Sequence, residues 1–213
     1  MKPNSIIPLF SIPLYHTQTE YIMDTKEFNR LSNIEWFEPG PDYNNISVVS
    51  NSQSFFKDYD FKELENIIEN HKNFYVDEVL GMKNNFTMTQ RWVARTKKGS
   101  SHPAHDHKNC IFSVVYYARC DSGDLVITTK DNFIGQKWNL DFNYKFTRNL
   151  FNSTSYTCKV KTGDIVILPG HIEHFTTSNE SDFERYIVGA NYFVSGLLGK
   201  EKKVTKMDIK INE

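Results

Sequence analysis

A mainly β fold, of the sandwich or jelly-roll kind with helices laid on one face, is what this sequence predicts. Three observations carry the prediction. Short β-branched and aromatic runs recur from Phe86 onward, each bounded by Gly, Asn, Asp or Ser. Helical spacing of apolar residues is confined to the first half of the chain. A length of 213 residues, 39% of them hydrophobic, suits a single domain with room for a sizeable core.

Taken in order, the opening "MKPNSIIPLFSIPLYH" is apolar but interrupted by Pro3, Pro8 and Pro13. It has no continuous apolar stretch followed by a small-residue cleavage site, so it reads as an extended segment and not as a signal peptide. A short helix is expected over "DTKEFNRL", residues 24–31. A clearer one is expected over about 61–72, where Asp60 and Glu63 form a capping-box pattern and Leu64, Ile67, Ile68 and His71 fall near helical spacing. The same pattern runs on into "FYVDEVL". This helical part, about 20–82, is expected to buttress a β core over about 86–195 within one domain spanning 1–213. Strands are expected in "NFTMTQRWVAR", "IFSVVYYAR", "GDLVITT", "SYTCKVK", "GDIVILP", "ERYIVGANYFV" and "KKVTKMDIKIN". Between the third and fourth of these, residues 131–155 are long enough for a lid or an inserted hairpin, and they include Phe133, Trp138, Phe142 and Phe146.

Charge and cysteine content narrow the function classes. A formal net charge of -1, with no basic stripe to neutralise phosphates, argues against nucleic acid as an obligate partner. No run approaches the length of apolar residues needed to span a bilayer. Cys110, Cys120 and Cys158 are odd in number and form no C-x-x-C pair, which favours reduced thiols and a cytoplasmic setting over a disulfide frame. A homodimer stays open.

The chemistry-bearing stretch is "HPAHDH", residues 102–107, between a Gly-Ser-Ser turn and a strand. If residues 104–108 are extended, the two-residue period puts His105 and His107 on one face and Asp106 on the other. A metal then needs a third ligand from elsewhere, and "GDIVILPGHIEHF" offers His171 and His174 just after a hydrophobic strand. A polar surface loop that collects histidines is the plain alternative. The second cluster shifts the balance towards a metal site.

With both motifs in view, "TQRWVARTKKGSSHPAHDHKNCIFSVVYY" and "KTGDIVILPGHIEHFTTSNESDFERYIVGANYFV" together resemble the iron(II)- and 2-oxoglutarate-dependent oxygenases. They are most similar to a group common in marine bacteria and their phages that shares H-x-H, S-x-V-Y-Y, F-P-x-x-x-x-H and R-x-x-x-x-x-N, and "IIPLFSIPLY" is similar to the start of that group. The resemblance implies a double-stranded β-helix, Fe(II) and 2-oxoglutarate as cofactors, oxygen as co-reactant, and hydroxylation of a small-molecule or peptide substrate. It implies His105, His107 and His174 as the catalytic metal ligands, His174 lying five residues after Pro169. Arg185, eleven residues beyond His174, matches the residue that receives the distal carboxylate of 2-oxoglutarate. Ser113 and Tyr117 match positions that face the cosubstrate in prolyl-hydroxylase-like members.

The sequence also departs from the superfamily. His107 stands where an Asp or Glu is usual in the 2-His-1-carboxylate arrangement, leaving iron with one more unit of positive charge. Asp106 replaces it only if the backbone is bulged there. Ile187 and Gly189 occupy positions that are often serine in the group. On the residues alone, Arg185 could instead form a surface ion pair with Asp182 or Glu184, and Ser113 and Tyr117 could simply pack in a strand. Trp92, Arg91 and Arg95 are candidates for contact with the substrate, with Trp92 equally suited to the core.

A second pattern fits the same residues. Gly99 followed by five residues and H-x-H resembles the first cupin motif, and Gly163, Pro169 and His174 resemble the second, without the usual cupin glutamate. Three histidines in that setting imply a cupin-type dioxygenase that needs no 2-oxoglutarate. Only the oxygenase resemblance gives Arg185 a role. A metal-free, ligand-binding jelly roll is the third reading.

Overall fold

The computed structural model describes residues 11–37, 47–50, 55–129, 143, 149, 151–200 and 203–211. Two antiparallel sheets form the β core. The larger has the strand order β1-β7-β4-β9-β3-β2, with β10 paired to the far end of β9. Its members are β1 (Tyr15–Gln18), β2 (Val48–Val49), β3 (Asn85–Thr96), β4 (Phe112–Arg119), β7 (Asp164–Pro169), β9 (Arg185–Leu198) and β10 (Met207–Ile209). The smaller has the order β6-β5-β8, from β6 (Ser155–Cys158), β5 (Leu125–Thr128) and β8 (His174–Thr176). This is the jelly-roll arrangement that the strand texture predicts, and each of the seven expected runs contains a strand.

Both faces of the larger sheet are covered, which explains why "FSVVYYA" is buried at every position. Val114 and Tyr116 of β4 face the helices, packing in one cluster with Leu31, Phe55, Phe61, Leu64 and Ile68. Val115 and Tyr117 face the barrel interior, in a second cluster with Leu125, Cys158, Val166 and Leu168. A single strand therefore serves two cores by its two-residue period.

The helical layer consists of α1 (Thr25–Ser32), α2 (Phe55–Asp58) and α3 (Lys62–Phe74), with α3 continuing into a π-helical turn over Tyr75–Val79. The capping box sits elsewhere than expected. It belongs to α1, where the Asp24 carboxylate accepts from Glu27 N at 2.8 Å and the Glu27 carboxylate accepts from Asp24 N at 3.1 Å. Asp60 cannot cap α3, because its φ of 55° lies in the left-handed region where the chain turns out of α2, and the cap position falls to Phe61 with no side-chain bond. The helix forms nonetheless, since its apolar stripe is anchored in the core.

On the side of β1 the two sheets are tied together by side chains. His16 Nε2 lies 2.9 Å from Asp164 Oδ2, and Cys158 Sγ lies 3.5 Å from His16 Nδ1, linking β1, β7 and β6. Cys110, Cys120 and Cys158 are free thiols. Among the described residues no helix is long and apolar enough to cross a membrane. The expected lid at 131–155 lies outside the described residues, apart from 143, 149 and 151–155.

Candidate metal centre

The loop between β3 and β4 runs beside β8 as a broken further strand of the smaller sheet. Gly99, at φ 76°, donates its N–H to Asn179 O (2.8 Å), and Asn179 N donates back to Ser100 O (2.9 Å). Further along, His102 N donates to Thr176 Oγ1 (2.8 Å) and Thr176 N to His102 O (3.1 Å). His105 and His174 then exchange both backbone bonds, at 3.0 and 2.9 Å, and His107 N donates to Gly170 O at 2.8 Å. Directly opposed residues of an antiparallel pair present side chains to the same face. The backbone alone therefore places His105 and His174 side by side, with His107 two residues on.

The imidazoles of His105, His107 and His174 each offer a nitrogen, and these atoms all lie within 4.8 Å of one another. His107 Nε2 and His174 Nε2 are 3.3 Å apart. In each ring the other nitrogen faces an oxygen acceptor: Nδ1 of His105 at 2.8 Å from Pro103 O, Nδ1 of His107 at 2.7 Å from Asn191 Oδ1, and Nδ1 of His174 at 2.9 Å from Ile172 O. Because a carbonyl can only accept, each Nδ1 carries the proton and each Nε2 presents a lone pair. Burial pushes His107 below the ordinary histidine value and His174 down to about 4, so both stay neutral. Three imidazole lone pairs converging on one point could hold a metal ion, and such nitrogen donors suit iron. Asp106, the alternative to His107, instead pairs with Lys108 at 2.7 Å, and His171 is exposed on the turn before β8.

Asn191 was not among the expected site residues, although it ends the R-x-x-x-x-x-N pattern. It holds His107 through Oδ1 while its Nδ2 donates to Gln90 Oε1 at 2.6 Å. Replacing Asn191 with leucine is expected to lower Fe(II) affinity by roughly 10–100-fold, as loss of such an orienting partner does, with little change in melting temperature. Anaerobic metal titration checks it, and unchanged affinity would refute the orienting role.

Arg185 lines a cavity, of about 50 Å³, that the three histidines also line. It is 3% exposed, and burial lowers its pKa. The guanidinium donates to Gly123 O (2.7 Å), Thr176 Oγ1 (2.8 Å) and Thr96 Oγ1 (3.2 Å), while its Nε is buried without a partner. The surface ion pair considered for it does not form. Asp182 is held by Lys98 at 2.6 Å, and Glu184 accepts from Tyr186 at 2.7 Å. Among the described residues this buried guanidinium has no carboxylate partner, only neutral oxygen acceptors.

Tyr117 lines the same cavity, and burial raises the pKa of its phenol far above its ordinary value. Ser113 faces the same side of β4 but stands opposite Asn191, outside the cavity lining, with its hydroxyl 3.4 Å from Ala190 O.

Gly123 is matched to Arg185. Its φ is 94°, and a Cβ there would run into Arg185 Nη1. Gly123→Ala is expected to displace the guanidinium and weaken binding of 2-oxoglutarate about tenfold or more while sparing the histidine cluster. Calorimetric titration with the cosubstrate measures it.

Solved structures share this architecture. A 2OG-Fe(II) oxygenase family oxidoreductase from Burkholderia pseudomallei is 12% identical, with 84% of this chain and 83% of that one covered at a TM-score of 0.55. The non-heme alpha ketoglutarate dependent epimerase SnoN of nogalamycin biosynthesis is 11% identical, with 87% and 79% covered at 0.59. A prolyl hydroxylase from Trichoplax adhaerens, in complex with a hypoxia inducible factor peptide, is 12% identical, with 84% and 83% covered at 0.56. At these identities the likeness is one of fold. No curated protein matches the chain. The deciding observation is that residues 90–191, which contain all three histidines and Arg185, match the family model described as "Putative 2OG-Fe(II) oxygenase". Over those residues the chain matches the 2OG-Fe(II) oxygenases.

Iron and 2-oxoglutarate are accordingly the cofactors of this oxygenase. Its two departures at β9 have structural counterparts. Ile187 stands opposite Tyr117 in the cavity wall, and Gly189 is the seat of the Trp92 indole, which a Cβ at Gly189 would strike. Trp92 in turn lies 5.3 Å, between ring centroids, from His107. On the outer side of the histidines the oxygenase has an open cleft of about 410 Å³, bordered by Gln90, Trp92, Asp106 and Lys108. His102, His105, His107 and Trp92 line both spaces, so the cluster stands where the inner cavity meets the cleft.

Proposed function

We propose that His105, His107 and His174 hold the iron of this oxygenase, that Arg185 receives the distal carboxylate of 2-oxoglutarate, and that the reaction is hydroxylation of a substrate entering by the outer cleft. The observation that carries the reading is one cavity lined both by three convergent Nε2 lone pairs and by a buried guanidinium that has no carboxylate partner among the described residues. The bound iron would supply the oxidative chemistry, with oxygen as oxidant and 2-oxoglutarate consumed to succinate and carbon dioxide.

The chain's own groups bind and orient. Pro103, Asn191 and Ile172 fix the three tautomers, so no proton has to leave an Nε2 before metal binds. Thr96 and Thr176 aim the guanidinium, and Tyr117, with no side-chain hydrogen bond among the described residues, offers a phenol O–H to the cosubstrate. Val115, Leu125 and Ile187 make the remaining wall apolar, which excludes water and strengthens the charge pairing within. The reading takes the chain as one oxygenase domain working in a reducing cytoplasm, in keeping with its three free thiols. A substrate of either class, small molecule or peptide, is in keeping with the fold neighbours, one a nogalamycin-biosynthesis enzyme and one a prolyl hydroxylase bound to a peptide.

The test is conversion of 2-oxoglutarate to succinate by the Fe(II)-loaded protein, slow and uncoupled in the absence of substrate. Oxygen uptake that leaves 2-oxoglutarate intact would favour the three-histidine dioxygenase reading. Neither activity would favour a binding protein.

A further inference from the structure

We propose that His102 is a cosubstrate-binding residue of this oxygenase, donating a ring N–H to a carboxylate oxygen of 2-oxoglutarate held between the histidine cluster and Arg185. The inference rests on the functional reading above and assigns a task to the one histidine of "HPAHDH" left without a role. His102 is half-buried, its ring lies 4.4 Å from that of His105 between centroids, and it lines both the inner cavity and the outer cleft. It is not part of the group of nitrogens that converge within 4.8 Å, so it is no fourth member of the metal site.

Two features separate it from a packing residue. The first is its hydrogen bonding. The other three imidazoles of the site each have a fixed acceptor for Nδ1, whereas neither ring nitrogen of His102 has a partner among the described residues. A neutral imidazole always carries one N–H, and an acceptor ligand in the cavity would give it the partner that the surrounding described residues do not. 2-Oxoglutarate offers only acceptor oxygens, which matches the need.

The second is its anchorage. Thr176 Oγ1 accepts from both His102 N (2.8 Å) and Arg185 Nη2 (2.8 Å), and Thr176 N donates to His102 O (3.1 Å). One hydroxyl therefore sets the position of both groups. The backbone of His102 is built into the same frame as the guanidinium, which favours the cosubstrate over the substrate as its partner.

The test uses full-length protein loaded with Mn(II) under argon, so that no turnover occurs, and titrates metal and 2-oxoglutarate separately by calorimetry. His102→Phe keeps ring volume and removes the N–H. It is expected to retain one Mn(II) with affinity within about twofold, and to bind 2-oxoglutarate about tenfold more weakly, the typical weight of one hydrogen bond to a charged acceptor. His102→Gln or His102→Asn, which restore a side-chain N–H, should recover part of that loss. Unchanged 2-oxoglutarate affinity in a folded His102→Phe protein overturns the proposal. So does an equal loss in all three variants, which would mean a role in shape alone, or loss of stoichiometric Mn(II), which would make His102 a metal ligand. If the unaltered protein binds Mn(II) but takes no 2-oxoglutarate, the functional reading fails, and this inference with it.

Discussion

Replacing His174 with alanine is expected to abolish stoichiometric iron binding, and 2-oxoglutarate turnover with it, while the fold survives. Removing one of three ligands should exceed the roughly 10–100-fold loss that follows from disturbing an orienting partner. The backbone pairing of His174 with His105 needs no side chain, so β8 should keep its place in the smaller sheet. The same loss is expected for His105→Ala and His107→Ala. His171→Ala and Asp106→Ala are the controls, since His171 is exposed and Asp106 is engaged by Lys108. Metal content after gel filtration, with circular dichroism to confirm folding, decides. One equivalent of iron retained by His174→Ala would sink the assignment, and loss of iron from Asp106→Ala would move the third ligand from His107 to the carboxylate.

Arg185→Ala should leave the metal in place and remove cosubstrate binding. Truncating one partner of a buried, hydrogen-bonded charge pair costs about 2–5 kcal/mol, on the order of 30-fold to several thousandfold in affinity. Arg185→Lys should recover little of this. Three separate acceptors, Gly123 O, Thr96 Oγ1 and Thr176 Oγ1, are arranged around the flat guanidinium, and an ammonium, with three N–H groups in all, cannot serve them while also keeping one for a carboxylate. Iron stoichiometry and 2-oxoglutarate affinity, measured on the same preparation, test both halves. If iron is lost as well, the arginine shapes the cluster and does not merely face it.

The strands were the most legible part of the chain, because β-branched and aromatic runs between turn residues report a pleated surface wherever they occur. What escaped was short or borrowed. β2 and β8 have two and three residues, too few for alternation to show, and β8 exists because a neighbouring loop and β5 pair with it. The Asp60 pattern misled since capping depends on backbone conformation, and a residue at φ 55° cannot adopt the extended cap geometry. At the site, the spacing of His105 and His107 and the place of His174 after Pro169 were readable. The acceptors behind them were not. Two of the three are main-chain carbonyls, which carry no signature in the sequence, and the third, Asn191, is 84 positions from the His107 it holds. The matching of Gly123 to Arg185 and of Gly189 to Trp92 was equally invisible, being a property of close approach between distant segments.

The reciprocal backbone bonds between His105 and His174 also bear on kinetics. A ligand pair fixed by its own main chain cannot spread apart through side-chain rotation alone without leaving the rotamers that point both nitrogens inward. Separating the two histidine backbones requires opening the ladder that runs from Gly99 to His107. Release of the metal and exchange of the His105 and His174 amide hydrogens with solvent should then proceed through one local opening, with a shared rate. A bound ion would act on that ladder as a clasp. Amide exchange along residues 99–107 and 170–179 should slow together on loading, while the far edge at β10 keeps its own pace.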